Sequence, residues 1–318
     1  MRIGLMAAVV GVAGSLGLGG ESNAALGYYR AWLDQSSELQ QTLVTTGEKL
    51  TLAEGGEDLL GSSQYIITAL LESSHAGHAD WGIAYENGPL ALLPHLGKMR
   101  GSAKVMAADA LRCALEGDRA GAAERAAAVY LMAGQVSEDR IMISSLVGMA
   151  IANLGNELTI QLIEEGTLDA DGAAMVLTAI RGGDSDDRFG MRDAIVGEWR
   201  MISEYLVSSA PDIDAGKWLL QTMQMDIDDK VTKQVAQMDK QALLRELGGW
   251  SAFYGDMLSV WDSGDLDAMR QVVERVKDGD FGPLTIVAAP SLTRAFDSNQ
   301  RSKEDFRALI ERLEEIGG

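Results

Sequence analysis

LLPHLGKMRGSAKVMAADALRCALEGDRAGAAERAAAVYLMAGQVSEDR occupies residues 92–140 of the chain. Within it Leu92, Leu96, Met99, Ala103, Met106, Ala110 and Cys113 step by 4, 3, 4, 3, 4 and 3. That spacing places the seven side chains on one stripe of a helix, a seam for neighbouring helices. Pro94 has no amide hydrogen, so the helix either starts close to it or kinks there. Glu116-Gly117-Asp118 stops the helix, because glycine accepts the left-handed conformation of a helix end. Asp118 then caps a second helix, on which Ala122, Ala126, Val129 and Ala133 form a small-residue face.

C-terminal to this hairpin, Ser137 reads as the cap of a third helix that runs to Glu164. Glu138 and Asp139 fall in its first turn, where the helix dipole favours negative charge. Ser144, Gly148, Ala152 and Gly155 line one side of it and allow another backbone to approach closely. Ser145, Asn153, Asn156 and Glu157 interrupt its apolar surface, which fits a buried core helix better than a membrane span.

Further helices are expected over 26–43, 58–73, 169–180, 195–206, 250–261 and 266–276, and from Pro290 toward Ile316. A long amphipathic helix is expected over 216–247, with Asp226–Lys230 and Asp229–Lys233 as four-residue ion pairs on its polar side. The glycines of Glu116-Gly117-Asp118, Glu165-Gly166-Thr167 and Ser263-Gly264-Asp265 mark three similar turns. Residues 106–135 resemble one tetratricopeptide repeat, with Gly117-Asp118 at the turn and Ala122 and Ala126 at its small positions. The expected fold is therefore all-α: stacked antiparallel helices in a tetratricopeptide-like or irregular α-solenoid array. The run Gly182-Gly183-Asp184-Ser185-Asp186-Asp187 is the best linker. It divides an N-terminal array (25–182) from a C-terminal helical region (189–318), which is either separate or continuous with the first.

Composition sets the compartment and excludes some partners. Met1-Arg2, the apolar run 3–18 and the small residues of Ser22-Asn23-Ala24 read as a secretory signal over 1–24, cleaved after Ala24. The protein is then exported, periplasmic or extracellular. The net charge of −20 repels nucleic acid and anionic membrane surfaces, so neither is expected as a partner. A single cysteine, Cys113, allows no internal disulfide, and its place on the apolar seam reads as a buried thiol. The expected partner is another protein or peptide segment, and no cofactor is expected.

The loop that precedes the hairpin holds most candidate site residues. His75, His78 and Asp80 lie close enough in sequence to ligate zinc or copper, but no third His or Cys is fixed beside them, so no metal is assigned. Asp80, Trp81, Tyr85 and Glu86 read as the floor and rim of a ligand pocket or as a plug at one end of the helical core. Asn153 and Glu157, one turn apart on an apolar helix, read as a cleft pair or as that helix's solvent edge. No Gly-x-Ser-x-Gly, His-Glu-x-x-His or Walker loop occurs in the mature region. The Asp-Trp-Gly-x-x-Tyr-Glu-x-Gly loop (80–88), Leu-Leu-Pro-His-Leu (92–96) and the Ala-rich hairpin with Glu116-Gly117-Asp118 together resemble an uncharacterised family of exported bacterial α-helical proteins. The resemblance spans about 81–165. It implies export and a helical fold, and no activity. The function expected is a non-catalytic protein-interaction or scaffold protein of the cell envelope. The alternatives are a metal-dependent or acid/base hydrolase built on the 75–86 loop and a small-ligand carrier.

Overall fold

A computed structural model describes residues 23–47, 50–182, 187–289 and 292–317. The expected signal segment, apart from Asn23 and Ala24, lies outside the described residues, as do 183–186 of the linker. Among the described residues the chain forms fifteen α-helices and one 3-10 helix, with no strand. The fold is all-α, as the spacing predicts.

The hairpin is the best-defined part of the sequence reading. Helix α5 runs Pro94–Leu115 with the proline in its first turn, so the helix begins at Pro94 and Leu92, 82% exposed, drops out of the seam. The other six seam residues are buried. Gly117 takes φ +79. The Asp118 amide bonds the Cys113 carbonyl at 2.8 Å and the Gly117 amide bonds that of Ala114 at 3.1 Å. This pattern satisfies helix-end carbonyls and needs a left-handed residue at the turn. Asp118 then accepts the Gly121 amide and opens α6 (Arg119–Ser137). The same pair of bonds closes α7 (Met142–Glu164), where Gly166 takes φ +68 and Thr167 reaches the Leu162 carbonyl.

Helix α6 is the centre of the molecule. Ala122, Ala123, Ala126, Ala127, Ala128, Val129 and Ala133 are all buried, though they point to several sides of the helix. It packs most extensively against α5, α7 and α8 (Ala170–Arg181). Short side chains let those helices come close, and α7 contributes glycine where the backbones are nearest. A Cβ built on Gly148 would lie 2.1 Å from the Ser137 hydroxyl oxygen and 2.8 Å from the Ala133 carbonyl oxygen. One built on Gly155 would lie 3.0 Å from the Tyr130 ring.

Several expected helices are divided. In place of one helix over 26–43 stand α1 (Ala24–Leu33) and α2 (Ser37–Thr46), because Ser36 turns extended and its hydroxyl accepts the Leu39 amide. The helix expected over 58–73 becomes α3 (Gly56–Ser62) and α4 (Gln64–Ser74), separated at Ser63, which leaves helical backbone. Ser137 does not cap α7. It ends α6, and its hydroxyl donates to the Ala133 carbonyl. The Met142 amide at the start of α7 instead donates to the Glu198 carboxylate of α9 (Met191–Ser209), at 3.2 Å. Burial raises the pKa of that carboxyl, and this hydrogen bond partly offsets the rise.

The long amphipathic helix expected over 216–247 is not formed. Its residues build α10 (Ala215–Thr222), α11 (Lys230–Ala236) and the start of α12 (Lys240–Ser263). Asp229 and Asp239 each accept an amide as N-caps, so Asp229 is occupied with Thr232 rather than with Lys233. Lys233 donates to the Asp228 carbonyl. Helix α12 absorbs the helix expected at 250–261. It is followed by α13 (Leu266–Asp278), α14 (Pro283–Ala288) and α15 (Leu292–Gly317). Helix α15 packs back on α7 and α8, and residues from both sides of the linker share one apolar core. A smaller second core gathers α10, α11 and α14.

Two glycines test the close packing around α6. Gly134 on α6 is exposed and a Cβ there meets nothing within 4 Å. Gly134→Ala should stabilise the protein by about 1 kcal/mol through helix propensity. Gly148→Ala should destabilise it by about 1–3 kcal/mol, because the α6–α7 spacing must open. Urea unfolding of both variants measures this, and a neutral Gly148→Ala would show that α6 and α7 are not in close backbone contact.

Candidate functional site

The loop between α4 and α5 folds over one end of α6 and is held there by Gln135. The Gln135 side-chain amide donates to the carbonyls of Ser73, Ser74 and Ala76 at 2.7–3.2 Å. Ser73 and Ser74 close α4 and Ala76 follows it, so a buried amide from α6 helps satisfy the carbonyls of this helix end, where the Ser73 carbonyl also accepts the Ala76 amide. The Gln135 side-chain oxygen accepts the Tyr28 hydroxyl at 2.7 Å, and its backbone carbonyl accepts Trp81 Nε1 at 3.1 Å.

Trp81 is a plug. It is buried and stacks on His95 with ring centroids 4.6 Å apart, and also on Trp32 and Tyr28. Tyr85 donates its hydroxyl to the Asp139 carbonyl at 2.8 Å, and burial beside the Asp139 carboxylate raises its pKa. Asp139 and His95 are both buried, with Oδ2 and Nε2 2.6 Å apart. The contact lacks the alignment of a hydrogen bond, since neither His95 ring nitrogen has a hydrogen-bond partner. Ser144 donates to the same carboxylate oxygen. Gly88 lets the loop reach α9: it takes φ +54, and a Cβ there would fall 2.4 Å from the Tyr205 ring.

The remaining sequence candidates sit as follows. Asp80 is exposed and accepts the Gly82 amide at 2.9 Å. Glu86 is exposed. His75 is exposed, while His78 Nδ1 lies 2.6 Å from Glu138, whose carboxylate also accepts the Ala79 amide. Among the described residues no group of three or more His, Cys, Asp or Glu side chains is placed to hold a metal ion. Asn153 is half-buried with its side-chain oxygen unpartnered, and Glu157 one turn on is exposed. No hydrogen bond or ion pair links these two to the loop. Cys113 is buried, and burial pushes its thiol pKa up to about 11. Asn23 accepts the Ala25 and Asp80 amides and donates to the Asp80 carbonyl, while the Ala24 amide bonds the His78 carbonyl. These two residues, on the far side of the expected cleavage point, thus tie α1 to the loop.

Beside the plug is a feature that the sequence reading did not contain. An open cleft of about 650 Å³ lies between α6, α8, the start of the α4–α5 loop and α15. Its apolar lining includes Tyr130, Leu131, Met175, Ile180, Phe189 and Phe306, and its polar lining includes His75, Gln135, Glu138, Thr178 and Arg188. Gly134 and Ala127 on α6 leave the space open. Tyr130 is buried, with its hydroxyl bonded to Asn156 and Thr159 of α7, and burial raises its pKa. Arg188 lies over the Phe306 ring, 4.8 Å from the guanidinium carbon to the centroid. Burial lowers the pKa of Arg188, and the Tyr130 phenol beside it works in the other direction. The cleft draws residues from positions 74 to 306, so no local motif marks it. The one local sign is the pair of small residues, Ala127 and Gly134, on a helix otherwise filled with neighbours.

A second buried polar group also escaped the sequence reading. Asp109 of α5 is fully buried and pairs with Arg112 (2.7 Å) and Arg125, and it accepts Gln64 Nε2 at 2.9 Å. It joins α4, α5 and α6, and truncating it would leave two partly buried cations with only their more exposed partners, Glu116 for Arg112 and Glu124 for Arg125.

Comparison of the chain with protein-family models, with curated proteins and with solved structures finds no match.

The plug is tested by Trp81→Phe, which keeps the stacking and removes the Nε1 bond to Gln135. It should cost about 1–2 kcal/mol in urea unfolding. Glu86→Ala should change stability by less than about 0.5 kcal/mol. Equal effects would mean that Trp81 is no more built into the core than Glu86.

Proposed function

We propose that the protein is a non-catalytic binding protein of the cell envelope that holds a segment of another protein in the cleft between α6, α8 and α15. The observation that carries this reading is the cleft itself: an open, mostly apolar concavity with a few polar groups on rigid helices, the form binding sites usually take. The tetratricopeptide-like hairpin and the expected export support it, since stacked helices present concave surfaces to partner segments.

The loop over 75–86 lends itself less to a hydrolase. Its aromatic residue Trp81 is spent on packing, and His78 is engaged by Glu138. A second reading, a small-ligand carrier, is favoured by the size of the cleft. A volume of about 650 Å³ lies within the range of roughly 300–1,000 Å³ typical of small-molecule sites.

Site-specific photocross-linking in envelope extracts of the native host tests the interaction reading. A photoreactive residue at Met175, which lines the cleft, should capture one partner protein. The capture should be lost when Gly134→Trp fills the cleft. A photoreactive residue at exposed Ile213, outside the cleft, should not capture that partner. Capture of the same protein from both positions, or capture that survives Gly134→Trp, would refute the cleft as the interaction surface.

A further inference from the structure

We propose that the cleft takes an apolar body ending in a single carboxylate, with the Arg188 guanidinium as the anion site. Arg188 differs from every other arginine whose side chain is described. The others either lie within 4 Å of a carboxylate, as Arg112 and Arg125 do, or are exposed. Arg188 is partly buried, packs on Phe306, and has no carboxylate partner among the described residues. Asp184 and Asp186 lie outside those residues and take no part in the argument. A cation taken partly out of water gains from a bound anion when, as among the described residues here, it has no counter-charge.

The rest of the lining selects what the anion is attached to. Tyr130, Phe189 and Phe306 supply aromatic surface beside the guanidinium, and Met175, Ile180 and Leu131 extend it. The other ionised neighbour, Glu138, is already engaged by His78 and by the Ala79 amide. One planar cation set against an apolar wall, in a chain of net charge −20, suits a monoanion better than a phosphate dianion. Arginine's fork also matches a carboxylate through two parallel hydrogen bonds. Two sources offer this chemistry: the C-terminus of a polypeptide with an apolar last residue, and a free aliphatic carboxylic acid. The first source rests on the interaction reading above, and the second does not.

Titration calorimetry of the full mature chain tests the proposal with four probes: Ac-Ala-Leu-Phe as the free acid and as the C-terminal amide, decanoate, and decanol. At least one acid should bind about tenfold or more tightly than its neutral counterpart, the usual worth of a charged hydrogen bond. Arg188→Gln should erase that factor while leaving the neutral probe unchanged. Gly134→Trp should abolish binding of both. The comparison of acid with neutral probe in the unsubstituted protein stands even if Arg188→Gln fails to fold. Binding of the peptide acid supports a polypeptide C-terminus. Binding of decanoate alone upholds the carboxylate site and overturns the protein-segment reading. Equal binding of acid and neutral forms overturns the carboxylate site and leaves the cleft as a binding surface. No binding of either acid overturns the proposal.

Discussion

Helix α6 meets its neighbours through alanine and glycine, and the rest of the structure depends on that contact. A helix surrounded on most sides can either hold its neighbours apart with large side chains or bring them in with small ones. Here Ala122, Ala126, Ala128 and Ala133 bring them in, and Gly148 and Gly155 on α7 remove the last obstruction. Such an interface gains little from any one side chain. Its stability comes from many short-range contacts, each worth about 0.1–0.2 kcal/mol, at the packing density of a crystal. It is therefore sensitive to any added atom, and it needs fixed points. Asp109 with its two arginines supplies one along the length of the hairpin, and Gln135 supplies another at its end.

The same geometry positions the functional region. Gln135 pins the end of α4, which sets the path of the following loop, and Trp81 then closes that end of the core against His95, Trp32 and Tyr28. On the neighbouring face, α6 offers Ala127 and Gly134 where other positions of the helix are filled. Phe189 and Phe306 line the same gap from the other side. The cleft thus opens where α6 carries Ala127 and the exposed Gly134. Arg188, at the start of the second half of the chain, brings a charge to that gap, and α15 brings the ring beneath it.

Much of this was legible in the sequence and some was not, for identifiable reasons. The seam of α5 from Leu96 on and the glycine turns at Gly117, Gly166 and Gly264 were readable because each is a local rule satisfied within a few residues, while at Pro94 the sequence left a start and a kink both open. The small faces of α6 and α7 were readable as patterns. The breaks at Ser36, Ser63, Asp229 and Asp239 have no such local rule. A side chain that can cap a helix can equally stand on its surface, and tertiary packing decided which occurred. Ser137 shows the same ambiguity in reverse: its hydroxyl bonded backward to Ala133, and the start of α7 was capped by a carboxylate 56 residues away in sequence. Of the candidate site residues, Trp81 is buried in the core and Tyr85 is exposed but tied by its hydroxyl to Asp139, while Asp80, Glu86 and Glu157 lie at the surface. The cleft had no local signature because its lining comes from four separate stretches, brought together only when α15 returns to α7 and α8.

Amide hydrogen exchange on the intact protein, followed across α6, examines the central role of this helix most directly. The amides from Ala122 to Ala133 should exchange only through global unfolding, with opening free energies equal to that from denaturant titration, while those of the peripheral α2 and α13 exchange through smaller local openings. Exchange of the α6 amides at free energies no higher than those of α2 and α13 would contradict the account, because the helix on which the packing and the cleft are built would then open independently of both.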